Sequence, residues 1–252
     1  MKGVHTAGRM DPMTAMAASG LRSRMESLDL VANNMANAST GGYKADREFY
    51  SLYTAAEAQD SDLPATMPVI QQHWTDLSQG TIANTGNALD LALSGEGFFS
   101  VSGPNGKLYT RNGQFHLAAN GRLVTADGYA VLSAAGTPVT AQGTLPIEIS
   151  RDGTMKQDGQ SIGQLEIADF TGTAVTKQGG NYFRTVDSNA GLSTPADTTV
   201  EQGKLEASNT GNAESAVRLV SIIRQFEMLQ KAVLIGDDMN KQAIEQVAKV
   251  GS

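Results

Sequence analysis

The sequence contains no cysteine, which excludes a disulfide frame, a thiolate nucleophile and a cysteine-held zinc. Histidine is scarce: His5, His73 and His116 stand apart, without the HExxH spacing of a zinc peptidase, and no serine elbow accompanies them. No run approaches about 20 apolar residues, so no membrane span is expected. Basic residues are outnumbered, 19 Lys and Arg against 26 Asp and Glu, for a formal net charge of −7. That balance, with no basic patch, argues against a nucleic-acid partner. Met1–Met10 is short and polar, unlike a cleavable leader. Met1–Arg9 differs from the rest and reads as a tag or upstream start, with Met10 as the initiator.

Cofactor and metal motifs are missing too, so neither group is expected. Gly95-Glu96-Gly97 lacks the third glycine and following helix of a dinucleotide loop. Asp152–Asp158 lacks the alternating ligands and closing glutamate of a calcium loop. Asp90 with Glu96, or Asp152 with Asp158, is a formal candidate for a glycosidase carboxylate pair, but carboxylates in turns are common. Trp74 reads as a packing anchor rather than a sugar platform.

Two helical segments and a turn-rich centre are present. Leu219, Ile222, Phe226, Leu229 and Val233 recur at alternating spacings of three and four, a heptad seam within Ala213–Val247. Val220 and Ile223 widen the seam, which weakens at Asn240 and resumes at Ala243 and Val247. Roughly 35 residues of helix would span about 50 Å, too long to bury its stripe alone. Near the other end, Asp11-Pro12 is a helix opening. Ala17, Leu21, Leu28, Val31, Met35 and Ala38 follow on a second row that includes Arg24. Ser39-Thr40-Gly41-Gly42 ends that helix. Asn33, Asn34 and Asn37 are poor helix formers. They read either as caps of a fraying turn or as amides that bind neighbouring backbones.

Between the helices, Tyr43–Gln72 carries the acidic stretch Glu57–Asp62, Pro64 and Pro68, and reads as a linker or extended arm. From Leu89 to Thr199 turn dipeptides recur: Asn105-Gly106, Asn112-Gly113, Asn120-Gly121, Asp127-Gly128, Asp152-Gly153 and Asp158-Gly159. Short β-branched and aromatic runs lie between them, the pattern of antiparallel strands joined by tight turns. The expected class is α+β: long N- and C-terminal helices forming a coiled-coil-like layer, plus a central all-β antiparallel domain. The expected divisions are 10–43 with 208–250 for the helical part, 44–88 with 200–207 for the linker, and 89–199 for the β domain.

Five stretches together resemble the flagellar basal-body rod and hook family: Ala32–Lys44, Asp90–Phe99, Tyr109–Phe115 with Gly121–Thr125, Gln202–Asn209, and Arg224–Met228 with Lys231-Ala232. They run in the family's order from about Met10 to the end. Within the family, one β domain resembles the long rod proteins. The lack of a glycine-rich segment in Leu63–Thr75 resembles the proximal-side one more than the distal one. Thr210 stands where the family usually has valine.

The resemblance implies a non-enzymatic structural subunit of the basal-body rod that spans the periplasm. It implies self-assembly with other rod proteins into a helical tube that transmits torque, and passage through the flagellar type III export apparatus. On the combined reading, the assembly interface is Leu21, Leu28, Val31, Asn33, Asn34, Met35, Asn37, Leu219, Ile222, Phe226, Leu229 and Val233. The alternatives are a secreted cell-wall polymer hydrolase and a soluble coiled-coil adaptor.

Overall fold

Glycine and asparagine punctuate the centre of the chain, and the backbone there folds into short antiparallel strands. The computed structural model describes residues 12–54, 66–142, 145–170, 175–186, 195 and 197–250. The Met1–Arg9 extension, the Asp11 cap, the Glu57–Asp62 stretch and Pro64 lie outside the described residues, as do the side chains of Ala17, Asn240, Ala243 and Val247.

In chain order the elements are α1 (Pro12–Ala36), β1 (Asp46–Thr54), β2 (Thr66–Thr75), β3 (Ile82–Asn84), β4 (Leu91–Ser94), β5 (Phe98–Gly103) and β6 (Gly106–Thr110). Then come β7 (Phe115–Leu117), β8 (Leu123–Thr125), β9 (Ala130–Val131), β10 (Ile147–Ile149), β11 (Thr154–Gln157) and β12 (Gln160–Gln164). The last are β13 (Ile167–Ala168), β14 (Val175–Lys177), β15 (Tyr182–Thr185), β16 (Thr199–Gln202), β17 (Lys204–Glu206) and α2 (Asn212–Val250).

The chain divides into two compact units. The larger holds Ala36–Ala45 and Thr75–Gly211. Its main sheet runs β14-β15-β6-β5-β9-β8-β7, with β13 also on β5, and a separate β10-β11-β12 sheet accompanies it. Leu91, Leu93, Phe99, Val101, Phe115 and Met155 are buried in one core. Each such side chain contributes about 1.5–3 kcal/mol. Phe98, Tyr109 and Phe183 form a second cluster. Two short pairs, β16-β4 and β17-β3, bring the segment that leads to α2 back onto the start of the β region.

The other unit contains α1, α2 and the strand pair β1-β2. Here the expected coiled-coil-like layer is corrected. The chain has one helix near each end and a large antiparallel sheet domain, but the helices are unmatched: α1 has 25 residues and α2 has 39. The strand pair β1-β2, in the stretch read from sequence as a linker or extended arm, shares their unit. The inward row of α1 is also different. Ser23, Ser27, Val31 and Asn34 are buried, whereas Leu21 and Leu28 are half-buried and Met35 is exposed.

The physical reason is size. Gly20 begins that row, and a Cβ added there would lie 3.3 Å from Leu229 Cδ1, so the leucine of α2 seats on bare backbone. Small residues allow close helix approach where a leucine seam would hold the axes apart. Ser27 Oγ donates to Ser23 O at 3.0 Å, which satisfies that hydroxyl within the helix. Arg218 of α2 is tied to Glu48 of β1 at 3.1 Å. Trp74, expected as a packing anchor, is half-exposed.

Candidate functional site: a buried junction and a two-faced helix

The motif residues of the larger unit converge around one carboxylate. Glu206 is the last residue of β17, and its side chain is fully buried. Its Oε1 accepts from Lys44 Nζ at 2.7 Å and from the Gly80 backbone N–H at 2.8 Å, while Oε2 accepts from Arg111 Nη1 at 3.1 Å. Lys44 also donates to Ser78 O at 2.6 Å. Arg111 donates to Gly95 O at 2.7 Å, and its guanidinium lies 5.2 Å from the centre of the Phe98 ring. Burial pushes the Lys44 ammonium below its usual pKa, opposed by the Glu206 charge. Burial likewise lowers Arg111, again opposed by Glu206. Two cations therefore share one anion out of water, and loss of that anion would leave both buried without it.

The backbone around Lys44 is gripped from several sides. Gly42 N–H donates to Glu206 O at 2.7 Å, and Asn181 Nδ2 donates to Gly41 O at 2.7 Å. Lys177 Nζ donates to Lys44 O at 3.0 Å and lies 4.1 Å from the centre of the Tyr43 ring. Asn209 Oδ1 accepts from Ala45 N–H at 2.8 Å, and its Nδ2 donates to Asp76 O at 2.7 Å. Gly42 has φ +65°, and a Cβ there would lie 2.3 Å from the Arg111 carbonyl carbon. The Gly-Gly-Tyr-Lys run is thus a plug: glycine for the close approach, lysine for the buried charge.

The asparagines have separable tasks. Asn34 donates from Nδ2 to Asp46 O at 2.7 Å and accepts from Asp46 N–H at 3.0 Å, so its amide stands in for a strand partner at the start of β1. Asn37 O accepts from Thr40 N–H at 3.0 Å, closing the turn after α1. Asn33 sits on the exposed side. Of the two readings of these asparagines, caps of a fraying turn or amides that bind neighbouring backbones, Asn34 fits the second. Lys44, Arg111 and Glu206 escaped the sequence reading because lone charges between apolar runs ordinarily face water.

Helix α2 presents two apolar rows. Ile222 is buried, and Leu219, Phe226, Leu229 and Val233 are half-buried. On the opposite face, Val217, Met228, Ile235 and Met239 are 72%, 62%, 61% and 63% exposed. Val217, Ser221, Arg224, Met228, Lys231 and Ile235 follow the same three-and-four spacing. A groove of about 570 Å³ runs along this face, lined by Ala216, Val217, Val220, Arg224 and Met228 among others. Elsewhere, Asp90 is buried and accepts from Asn87 Nδ2 at 3.0 Å, whereas Asp152 is exposed and caps its own turn through Thr154. No cluster of metal-ligating side chains occurs among the described residues.

Residues 92–157 match the family described as the flagellar hook protein FlgE/F/G D1 domain, and residues 201–246 match the flagellar basal body rod FlgEFG protein C-terminal family. The chain is 30% identical to the flagellar basal-body rod protein FlgF of Caulobacter vibrioides, across 88% of this chain and 92% of that protein. The chain belongs to the flagellar rod and hook family. It is also 30% identical to the rod protein FlgG of Buchnera aphidicola subsp. Schizaphis graminum, across 91% of this chain and 97% of that protein. Against the Escherichia coli hook protein FlgE, identity is 38% over 105 residues, 41% of this chain and 25% of that one. As a rod-type family member, the chain is a structural subunit of the flagellar basal body and assembles with other rod proteins. Among the described residues, no helix is long and apolar enough to cross a membrane.

Proposed function

We propose that this subunit builds the rod through its helical unit while the β unit serves as a preformed body. The opposed apolar rows of α2 support this reading most directly. The inner row, Leu219, Ile222, Phe226, Leu229 and Val233, shares a unit with α1, where Leu229 packs on Gly20. The outer row, from Val217 to Met239, exposes apolar surface that a lone subunit leaves in water. Surfaces of that kind mark protein contacts. Copies of this chain and other rod proteins occupy that face, together with the flank of α1 carrying Leu21, Leu28, Asn33 and Met35. Contacts of this head-to-tail kind generate an open helical tube instead of a closed ring. The rod position is that of FlgF. Alignment with the Buchnera FlgG runs to 259 positions, longer than the 252 residues here, whereas alignment with the Caulobacter FlgF takes 228. The subunit reaches the rod through the flagellar export apparatus, binds no nucleic acid and performs no catalysis.

The test is incorporation. Met228→Glu with Ile235→Glu places two charges on the outer row. Basal bodies isolated from cells carrying only this variant should lack the chain, while its thermal unfolding stays unchanged. Val186→Glu, at an exposed position of the β unit, should incorporate normally. Normal incorporation of the outer-row variant would overturn the proposal.

A further inference from the structure

The two chain segments that leave the larger unit toward the helices are Gly41–Ala45 and Lys204–Asn209. Each supplies what the other lacks. The first brings a cation, Lys44, and the second brings the anion, Glu206; both side chains are fully buried. Few backbone bonds join the two, among them Gly42 N–H to Glu206 O at 2.7 Å and Asn209 N–H to Tyr43 O at 3.2 Å. Withdraw the first segment and Glu206 keeps Arg111 and the Gly80 N–H but loses its closest cation and its cover. Withdraw the second and Lys44 and Arg111 remain as two like charges without the carboxylate that both contact. A half-satisfied buried network is worse than none, so docking of one segment favours docking of the other.

We infer that this junction is a coupling device: the roots of the two helical arms dock as one cooperative element, and loosening either root loosens the other. Coupling of this kind is reciprocal, with the same factor in both directions. It stands on the junction geometry alone and does not depend on the rod assignment.

Amide hydrogen exchange on the full chain tests it. The reporter for the first root is Thr40 N–H, bonded to Asn37 O at 3.0 Å in the turn that leads into it, and for the second root Ala207 N–H, bonded to Thr81 O at 2.8 Å. Lys177→Ala removes a grip on Lys44 O from a residue that belongs to neither root. It should raise exchange at Ala207 by about 5–150-fold, the usual range of such couplings. Leu205→Gly, which weakens the β17-β3 pairing, should in turn raise exchange at Thr40. The distant hairpin amides of β11 and β12 should not change in either variant. Lys44→Met is the stronger form of the first variant, and Lys177→Ala serves if that one fails to fold. Exchange that rises only at the mutated root would overturn the inference, and so would a uniform rise that includes the β11-β12 hairpin.

Discussion

Lys44 and Glu206 are separated by 162 positions in sequence and by 2.7 Å in space, and neither side chain is accessible to solvent. The contact closes the β unit between the segments that continue into the helical unit. Arg111 approaches the same carboxylate from the loop after β6. Glu206 is therefore the one partner that both cations share, and the three residues should not be equally sensitive to substitution.

Glu206→Gln strands two buried cations and should cost about 3–5 kcal/mol of stability. Lys44→Met leaves the Glu206–Arg111 pair intact, replaces the stem with an apolar one of similar length and should cost clearly less. Urea unfolding of the two variants beside the parent gives the order. Equal losses, or the reverse order, would contradict the assignment of Glu206 as the shared partner.

Gly42 admits no side chain. Gly42→Ala forces a Cβ into a left-handed backbone, which alone costs about 1–2 kcal/mol, and drives it against the Arg111 backbone. The midpoint of unfolding should fall by more than the backbone term accounts for. Gly159→Ala, also at positive φ but with nothing within 4 Å of its added Cβ, should show the backbone term only.

Tyr182 donates to Asp127 Oδ2 at 2.7 Å and lies 3.0 Å from Thr125 Oγ1, and burial raises its phenol pKa far above the ordinary value, with Asp127 adding to the shift. Burial also raises Tyr109. A raised acid keeps its proton in the folded state while the unfolded chain loses it above about pH 10. The stability Tyr182 contributes is therefore complete below pH 10 and is lost as pH rises toward the folded value. Tyr182→Phe should flatten the alkaline fall of unfolding free energy, at a cost near neutrality of about 0.5–1.5 kcal/mol for the lost hydrogen bonds. Phenolate absorbance followed against pH should show one fewer late-titrating tyrosine. An unchanged titration would contradict this reading.

The β unit was legible because its turns are written in residue types. Asp158-Gly159 is a two-residue hairpin turn, with both residues at positive φ and Gln157 paired to Gln160. The neighbouring turn dipeptides act differently. Gly121, Gly128 and Gly153 occupy fourth positions of turns, donating back to Ala118, Thr125 and Ser150. In the β5-β6 hairpin the loop is Pro104-Asn105, because Gly103 pairs with Gly106. Proline fixes φ near −65°, which a primed turn at that position forbids. Spacing told where the chain turns, while the turn type depended on neighbours.

The helices were legible as helices but not as a packing. Several rows with a three-and-four period coexist on α1, and periodicity does not choose between Leu21-Leu28 and Gly20-Ser23-Ser27. The glycine and serines were the available signal, since small residues at helical spacing mark close approach. The buried junction left a fainter trace. Lys44 was visible only as the end of a motif, and its partner lay on the far side of the β domain in sequence.

A reconstruction of the intact basal body, resolved well enough to place side chains along α2, tests the account most directly. Val217, Met228 and Ile235 should be buried there against helices of neighbouring subunits, while Ile222 and Leu229 face α1 of their own chain. An assembled rod in which Val217, Met228 and Ile235 line open solvent would contradict it.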